Sequence, residues 1–328
     1  MIDGIGVWIG FNILVVFLLA LDLLVLTRND REVTMRRAAW LTAFWWGVAT
    51  IVGIWIFVAG SDDQGINYTT AFIVEKALSV DNLFVFLVIF GYFRMPAHLQ
   101  LRALLFGIVG ALIARALFIT VGLTIIGLFS WILFILGAFL VYTAYKMAFM
   151  GDTEVDPSHN PVVRVFRKIM PVTDDYHGHR FFIKLPDGRK AATPFLLVIL
   201  ALGTTDIIFA IDSVPTVFGI TRDAFIVWSS NAMAVLGLRP LFFLLSGLVK
   251  LFRFLQYGLA LVLALIGVKM ITEEAAHTLD FHLPEIMETP FTSLALISVI
   301  FAASIILSKM FPEKKLEKHG AGTVHEET

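Results

Sequence analysis

Residues 75–82 read E-K-A-L-S-V-D-N, and residues 206–213 read D-I-I-F-A-I-D-S. In each stretch an acid is followed by five residues, a second acid and a small polar residue. Both stretches lie within apolar runs, at about 69–93 and 194–217, that are long enough to cross a bilayer. Because a carboxylate in the hydrocarbon region is costly, acids in such runs usually mark routes for ions or protons.

The composition is that of a membrane protein. Of the 328 residues, 58% are hydrophobic and 16% are charged, whereas soluble domains are about half apolar and about a quarter charged. The net charge of −1 gives no sign of a nucleic-acid partner. Cysteine is absent, which excludes thiolate metal sites, disulfides and cysteine nucleophiles. No nucleotide-binding or nucleophile–base motif is present, so we do not expect an enzyme.

Nine apolar stretches are each long enough for a membrane helix. They cover about 5–27, 38–60, 69–93, 99–122, 126–149, 194–217, 224–248, 253–273 and 290–310. The predicted fold is therefore an all-α membrane protein with about nine transmembrane helices in a single domain, residues 1–310. Residues 150–193 are predicted to be a cytoplasmic loop with a small hairpin at P-D-G, and residues 311–328 a polar cytoplasmic tail.

Basic residues are unequally distributed between the predicted loops. The joins after spans 1, 3, 5 and 7 and the tail carry nearly all the loop arginines and lysines, and Arg222 is the one basic residue in the opposite loops. Because loops rich in Lys and Arg stay in the cytoplasm, we predict an N-terminus outside and a C-terminus inside. The expected location is the cytoplasmic (inner) membrane, with the chain crossing it many times.

The likeness between the acidic stretches continues along the chain. Arg115-Ala-Leu-Phe in the fourth predicted span matches Arg239-Pro-Leu-Phe in the seventh. Spans 3–5, at about 69–149, and spans 6–8, at about 194–273, are therefore predicted to be two copies of a three-helix unit. Because three is odd, the copies have opposite orientations in the membrane. Such inverted repeats are common in secondary transporters, whose sites lie near the midplane.

The charges within the predicted spans do not balance. The acids there are Asp22, Glu75, Asp81, Asp206 and Asp212, and the bases are Lys76, Arg115 and Arg239. Five acids against three bases leave two negative charges, which a divalent cation or two protons would balance. Because buried charges are usually paired, the three bases and Asp22 are expected to form supporting ion pairs. The four acids of the repeats are the candidate ion ligands.

The donors available within the spans are oxygen atoms. Asn82, Ser213 and Thr205 add neutral oxygens beside the acids of the repeats. Hard oxygen ligands suit magnesium, calcium and manganese. All eight histidines are predicted in loops or in the tail, so a zinc, copper or nickel site within the membrane is not expected.

The two acidic stretches, together with S-N-A-M-A-V-L-G-L-R from Ser230, resemble the TerC family of membrane proteins, close to its Alx branch and grouped with the LysE-type transporter superfamily. The resemblance covers most of residues 10–273. It implies manganese export and metal homeostasis, with a Mn²⁺ site to which Glu75, Asp81, Asp206 and Asp212 contribute. One departure is Gly203, which stands three residues before Asp206 where the family usually has Glu.

Three functions follow as hypotheses. The first is a secondary transporter that exports Mn²⁺, with protons as candidate coupling ions and no permanently bound cofactor. The second is a membrane scaffold or metal-delivery protein that docks protein partners on residues 150–193. The third is a proton-coupled carrier of another cation, including an organic one, which predicts an aromatic-lined cavity near the acids.

Overall fold

The structure is a computed structural model that describes residues 4–27, 34–150, 160–185, 188–246, 254–279, 284 and 289–310. The predicted tail at 311–328 therefore lies outside the described residues. The helices are α1 (Ile5–Thr27), α2 (Met35–Ala59), α3 (Asp62–Tyr92), α4 (Ala97–Leu128), α5 (Ile132–Phe149), α6 (Pro161–Ile169), α7 (Pro194–Phe218), α8 (Ala224–Val235), α9 (Leu238–Ser246), α10 (Leu255–Leu279) and α11 (Pro290–Met310).

Seven of these helices are long and apolar enough to cross a membrane, namely α1, α2, α4, α5, α7, α10 and α11. Helices α8 and α9 form an eighth candidate span if they are counted together. Helix α3 is not in this set, because its 31 residues include Asp62, Asp63, Glu75, Lys76 and Asp81. The prediction of an all-α, multi-pass membrane protein is confirmed, with seven or eight candidate spans in the described part of the chain.

Several predicted boundaries are wrong. Helix α3 begins at Asp62 because Ser61 and Gln64 form a capping box, in which each side chain accepts a hydrogen bond from the other residue's backbone N–H at 3.2 Å. Helix α4 continues to Leu128, so the predicted fifth span starts too early. Helix α10 ends at Leu279, beyond the predicted residue 273.

Two histidines also lie elsewhere than predicted. His98 is in the first turn of α4 and His277 in the last turn of α10, rather than in loops. Both are at helix ends, because the helices are longer than their apolar runs. Neither residue is close in sequence to the acidic stretches.

The predicted continuous span at 224–248 is broken. Helix α8 ends at Val235, α9 begins at Leu238, and their axes are bent by 45°. Gly237 lies between them with φ +80°, a conformation that glycine adopts without steric cost. A Cβ atom at Gly237 would also lie 2.6 Å from the side chain of Trp45. This glycine therefore permits both the break and the close approach of α2.

The described residues between α5 and α7 are folded onto the helices. Strands β1 (Phe182–Lys184) and β2 (Lys190–Ala192) form an antiparallel hairpin, which confirms the hairpin prediction. Asn160 caps α6 and donates to Thr204 Oγ1 at 3.0 Å. Since Thr204 is ten residues beyond the start of α7, or about 15 Å along it, α6 packs beside α7.

Helices α5 and α10 approach each other closely through two glycines. A Cβ atom at Gly137 would lie 2.9 Å from the carbonyl oxygen of Gly267, and one at Gly267 would lie 2.7 Å from that of Gly137. Small residues allow membrane helices to pack with their backbones in contact. Between the two predicted copies, α3 packs with α7 and α8, and α4 packs with α7 and α8. In addition, α2 packs against α3 and α9, and α11 packs against α3 and α10.

The substitution Gly267→Ala is expected to destabilise the protein by about 1–3 kcal/mol, because the added methyl group meets backbone rather than a flexible side chain. The apparent unfolding temperature in detergent measures this loss. Gly110→Ala in α4 is the matched control: no atom lies within 4 Å of its Cβ position, so stability should be unchanged or higher. Equal unfolding temperatures for Gly267→Ala and the wild type would contradict the close packing.

Tyr176 attaches the hairpin segment to the end of α3. Its hydroxyl donates to the carbonyl oxygen of Phe93 at 2.8 Å, and burial raises the pKa of Tyr176 to about 12. The folded state therefore favours the neutral phenol, whose unfolded pKa is about 10. The stability that this group contributes is complete below about pH 10 and is lost as the pH rises toward about 12.

We expect Tyr176→Phe to lower the unfolding temperature at pH 8, because the hydrogen bond to Phe93 is lost. The difference from the wild type should shrink between pH 9.5 and pH 11, where the wild-type phenol becomes ionised on unfolding. Thermal unfolding of both proteins across this range tests the prediction. A difference that does not change with pH would be inconsistent with the raised pKa.

Candidate functional site

Helices α3 and α7 carry the acidic stretches and pack against each other. Glu75 and Asp206 are both buried, at 0% and 3% exposure. The guanidinium group of Arg115, from α4, donates to the Glu75 carboxylate and to Asn231 Oδ1 of α8 at 2.7 Å. Asp206 is close enough to interact electrostatically with both Arg115 and Glu75. These two carboxylates and Arg115 form the acidic cluster.

The acidic stretches contribute four buried oxygen atoms that have no hydrogen-bond partner among the described residues. They are Glu75 Oε1, Ser79 Oγ, Asp206 Oδ2 and Ser213 Oγ. Buried polar atoms are nearly always hydrogen bonded, and leaving one unsatisfied is costly. Oxygen atoms of this kind are the ligands that Mg²⁺, Ca²⁺ and Mn²⁺ prefer. These four oxygen atoms are therefore suitable ligands for a hard cation.

The remaining candidate ligands are placed differently. Asn82 and Thr205 are both buried, and they lie close in sequence to the acids of the cluster. Asp212 is only partly buried, and its charged neighbour is Lys146 of α5 rather than the acidic cluster. Asp81 belongs to α3, but its side chain lies outside the described residues. Within the described ranges, no three His, Asp or Glu side chains are arranged to hold a metal ion.

The second arginine of the predicted repeat has a partner outside the repeat. Arg239 of α9 forms a 2.8 Å ion pair with Asp22 of α1, and both side chains are buried. Sequence comparison of the two copies does not identify this partner, because α1 precedes both of them. Arg115 and Arg239 therefore occupy matching sequence positions but neutralise different acids.

Lys76, which was expected in an ion pair, is held by backbone carbonyls instead. Its Nζ donates to the carbonyl oxygens of Ala234 at 2.9 Å and Leu236 at 3.2 Å. The side chain is only 3% exposed. None of the ion pairs between described residues includes Lys76. Asn231, which accepts a hydrogen bond from Arg115, belongs to the S-N-A-M stretch that begins at Ser230.

Comparison with known proteins agrees with this architecture. Residues 60–316 match the family described as "Integral membrane protein TerC family". The chain is 38% identical over 303 residues to the "Uncharacterized membrane protein STKORF319" of Myxococcus xanthus, covering 92% of each chain. It is 40% identical over 283 residues to the "Putative membrane-bound redox modulator Alx" of Escherichia coli K12, covering 82% of this chain and 87% of the relative. No solved structure matches. The chain therefore belongs to the TerC family of integral membrane proteins.

Proposed function

We propose that this chain is a secondary transporter that exports Mn²⁺ from the cytoplasm across the inner membrane. The observation that carries the proposal is the set of unpartnered buried oxygens on Glu75, Ser79, Asp206 and Ser213. They lie on two helices that pack together within an apolar bundle. The full ligand set that we propose adds Asp81, Asp212, Asn82 and Thr205 to these residues.

The charge of the acidic cluster favours a cation. When Glu75 and Asp206 are ionised, they carry two negative charges against the single positive charge of Arg115. An excess negative charge in an apolar surrounding is costly unless a cation or a proton neutralises it. Because the described conformation pairs Arg115 with Glu75, an entering Mn²⁺ would compete with Arg115 for that carboxylate. Protons that bind the same carboxylates would give a route to coupling.

We also propose the inverted repeat and nine spans, and the packing pairs support the correspondence of the two copies. In this arrangement α3, α4 and α5 correspond to α7, the broken pair α8–α9, and α10. Exchanging the copies converts the α3–α8 pair into the α7–α4 pair, and both pairs are present. The α5–α10 pair exchanges into itself. With α3 as the ninth span, the N-terminus lies outside and the C-terminus inside. Rocking of one copy against the other would then alternate access to the midplane.

A second candidate is metal delivery or scaffolding on the segment 150–193. The described residues 160–185 and 188–193 of this segment are folded, and one of the cavities there, of about 850 Å³, is lined by exposed Arg180, Lys184 and Lys190. Such a basic surface fits a docking role for an acidic partner. The name of the Alx relative describes a redox role for that protein. Because this chain contains no cysteine, it could not perform such a role through thiols.

Transport should depend on the carboxylates of the acidic cluster. We expect Asp206→Asn and Glu75→Gln each to reduce Mn²⁺ uptake into inverted vesicles by about 10–100-fold or more, since changing even the supporting residues of a metal site has effects of this size. A divalent-metal dye inside the vesicles reports uptake of Mn²⁺, Mg²⁺, Ca²⁺ and Zn²⁺, with and without a pH gradient. Asp174→Asn, at an exposed position, is the control and should transport normally.

Wild-type uptake rates in Asp206→Asn and Glu75→Gln would show that these residues do not form the transport site. A different result separates the two candidate functions. If the wild-type chain moves none of these ions but binds Mn²⁺, the delivery role is favoured. Uptake that is selective for Mn²⁺ supports export.

Arg115 should act as a competitor of the ion. We expect Arg115→Met to lower stability by about 3–5 kcal/mol, because it leaves buried carboxylates uncompensated. Added Mn²⁺ should raise the unfolding temperature of Arg115→Met more than that of the wild type, since the cation no longer displaces a guanidinium group. The double variant with Glu75→Gln is the control and should lose most of this response. Equal Mn²⁺ responses in Arg115→Met and the wild type would count against competition.

A further inference from the structure

The break between α8 and α9 exposes two carbonyl groups in the interior of the protein. In a continuous helix the carbonyl of Leu236 would accept a hydrogen bond from residue 240, but that residue is Pro240 and has no N–H. The turn at Gly237 interrupts the helix, so the carbonyl of Ala234 does not receive the regular hydrogen bond from the N–H of Leu238. Both oxygens accept from Lys76 Nζ instead, at 2.9 and 3.2 Å.

The end of α8 is a favourable place for a positive charge. The last carbonyls of a helix carry a partial negative charge, so cations are stabilised there. The face of the Phe72 ring adds a second source of negative potential, with Lys76 Nζ 6.0 Å from the ring centroid. No described carboxylate forms an ion pair with Lys76. The buried ammonium group is thus held by backbone and aromatic groups.

The other half of the break is fixed independently. Arg239, the second residue of α9, is paired with Asp22 of α1. Lys76 therefore joins α8 to α3, and Arg239 joins α9 to α1. At Gly237 the chain passes close to α2, since a Cβ atom at that position would overlap the side chain of Trp45. Both sides of the break are therefore attached to other helices.

We propose that the α8–α9 break is a preformed binding site for a monovalent cation, and that the ammonium group of Lys76 fills it as a tethered ligand. Removing the lysine side chain should open the site to a small primary ammonium ion. Because the tethered cation cannot exchange, the intact protein needs no Na⁺ or K⁺ at the break. This inference goes beyond the proposed function and does not depend on Mn²⁺ transport.

The experiment compares thermal unfolding of the purified full-length chain and its variants. Lys76→Ala removes the part of the side chain that corresponds to n-propylammonium. We expect a lower unfolding temperature for Lys76→Ala, and a saturable rise when propylammonium chloride is added at constant ionic strength. Tetramethylammonium chloride, which has no N–H donor, should not restore stability. The wild type should respond to neither salt.

Two variants serve as controls. Lys76→Met fills the space without a charge and should remain destabilised in propylammonium. Lys269→Ala removes a lysine that is 16% exposed and hydrogen bonded to Ser293, so its unfolding temperature should show no saturable response. Wild-type stability of Lys76→Met would overturn the proposal, and so would a Lys76→Ala protein that responds to neither propylammonium, Na⁺ nor K⁺.

If Lys76→Ala does not fold, Lys76→Gln decides the question. Its amide has two N–H donors and no charge, on a side chain that is one bond shorter than that of lysine. Wild-type stability of Lys76→Gln would show that hydrogen bonds alone suffice, which overturns a cation site. A clear loss of stability would support the need for a positive charge. Since stability is the readout, these outcomes are separate from those of the Mn²⁺ uptake measurements.

Discussion

The centre of the bundle depends on the contacts that the guanidinium group of Arg115 makes. A buried charge of this kind requires compensation, because its removal from water costs far more than an isolated hydrogen bond returns. Arg115 of α4 is compensated by Glu75 of α3 and Asn231 of α8, with Asp206 of α7 nearby. Four helices are thereby fixed around one positive charge.

Two other buried cations extend the same principle. Lys76 connects α3 to the end of α8, and Arg239 connects α9 to α1. The α8–α9 break therefore lies between two electrostatic attachments. By contrast, α5 and α10 are joined by close backbone contact at Gly137 and Gly267, without charge. The charged attachments hold the two sides of the break against α3 and α1, whereas the glycine contact allows α5 and α10 to come close.

The sequence predicted the elements better than their partners. Long apolar runs identified the helices, and P-D-G identified the hairpin, because both signals are local. Gly237 alone did not predict the break, since a single glycine in an apolar run is tolerated in a helix. Pro240, three residues later, was a second local signal for it. The pair Arg239–Asp22 and the carbonyl ligands of Lys76 are contacts between distant segments. Composition and spacing do not determine such contacts.

The arginines of the two predicted copies differ in where their acidic partners lie. Arg115 forms an ion pair with Glu75 in its own copy, whereas Arg239 forms one with Asp22, which lies outside both copies. Asp206 therefore shares the arginine of the other copy, and its Oδ2 has no hydrogen-bond partner among the described residues. Within the described part of the chain, no side chain lies within 4 Å of a Cβ position at Gly203, one turn away. The surface of α7 beside Asp206 is thus open at this position.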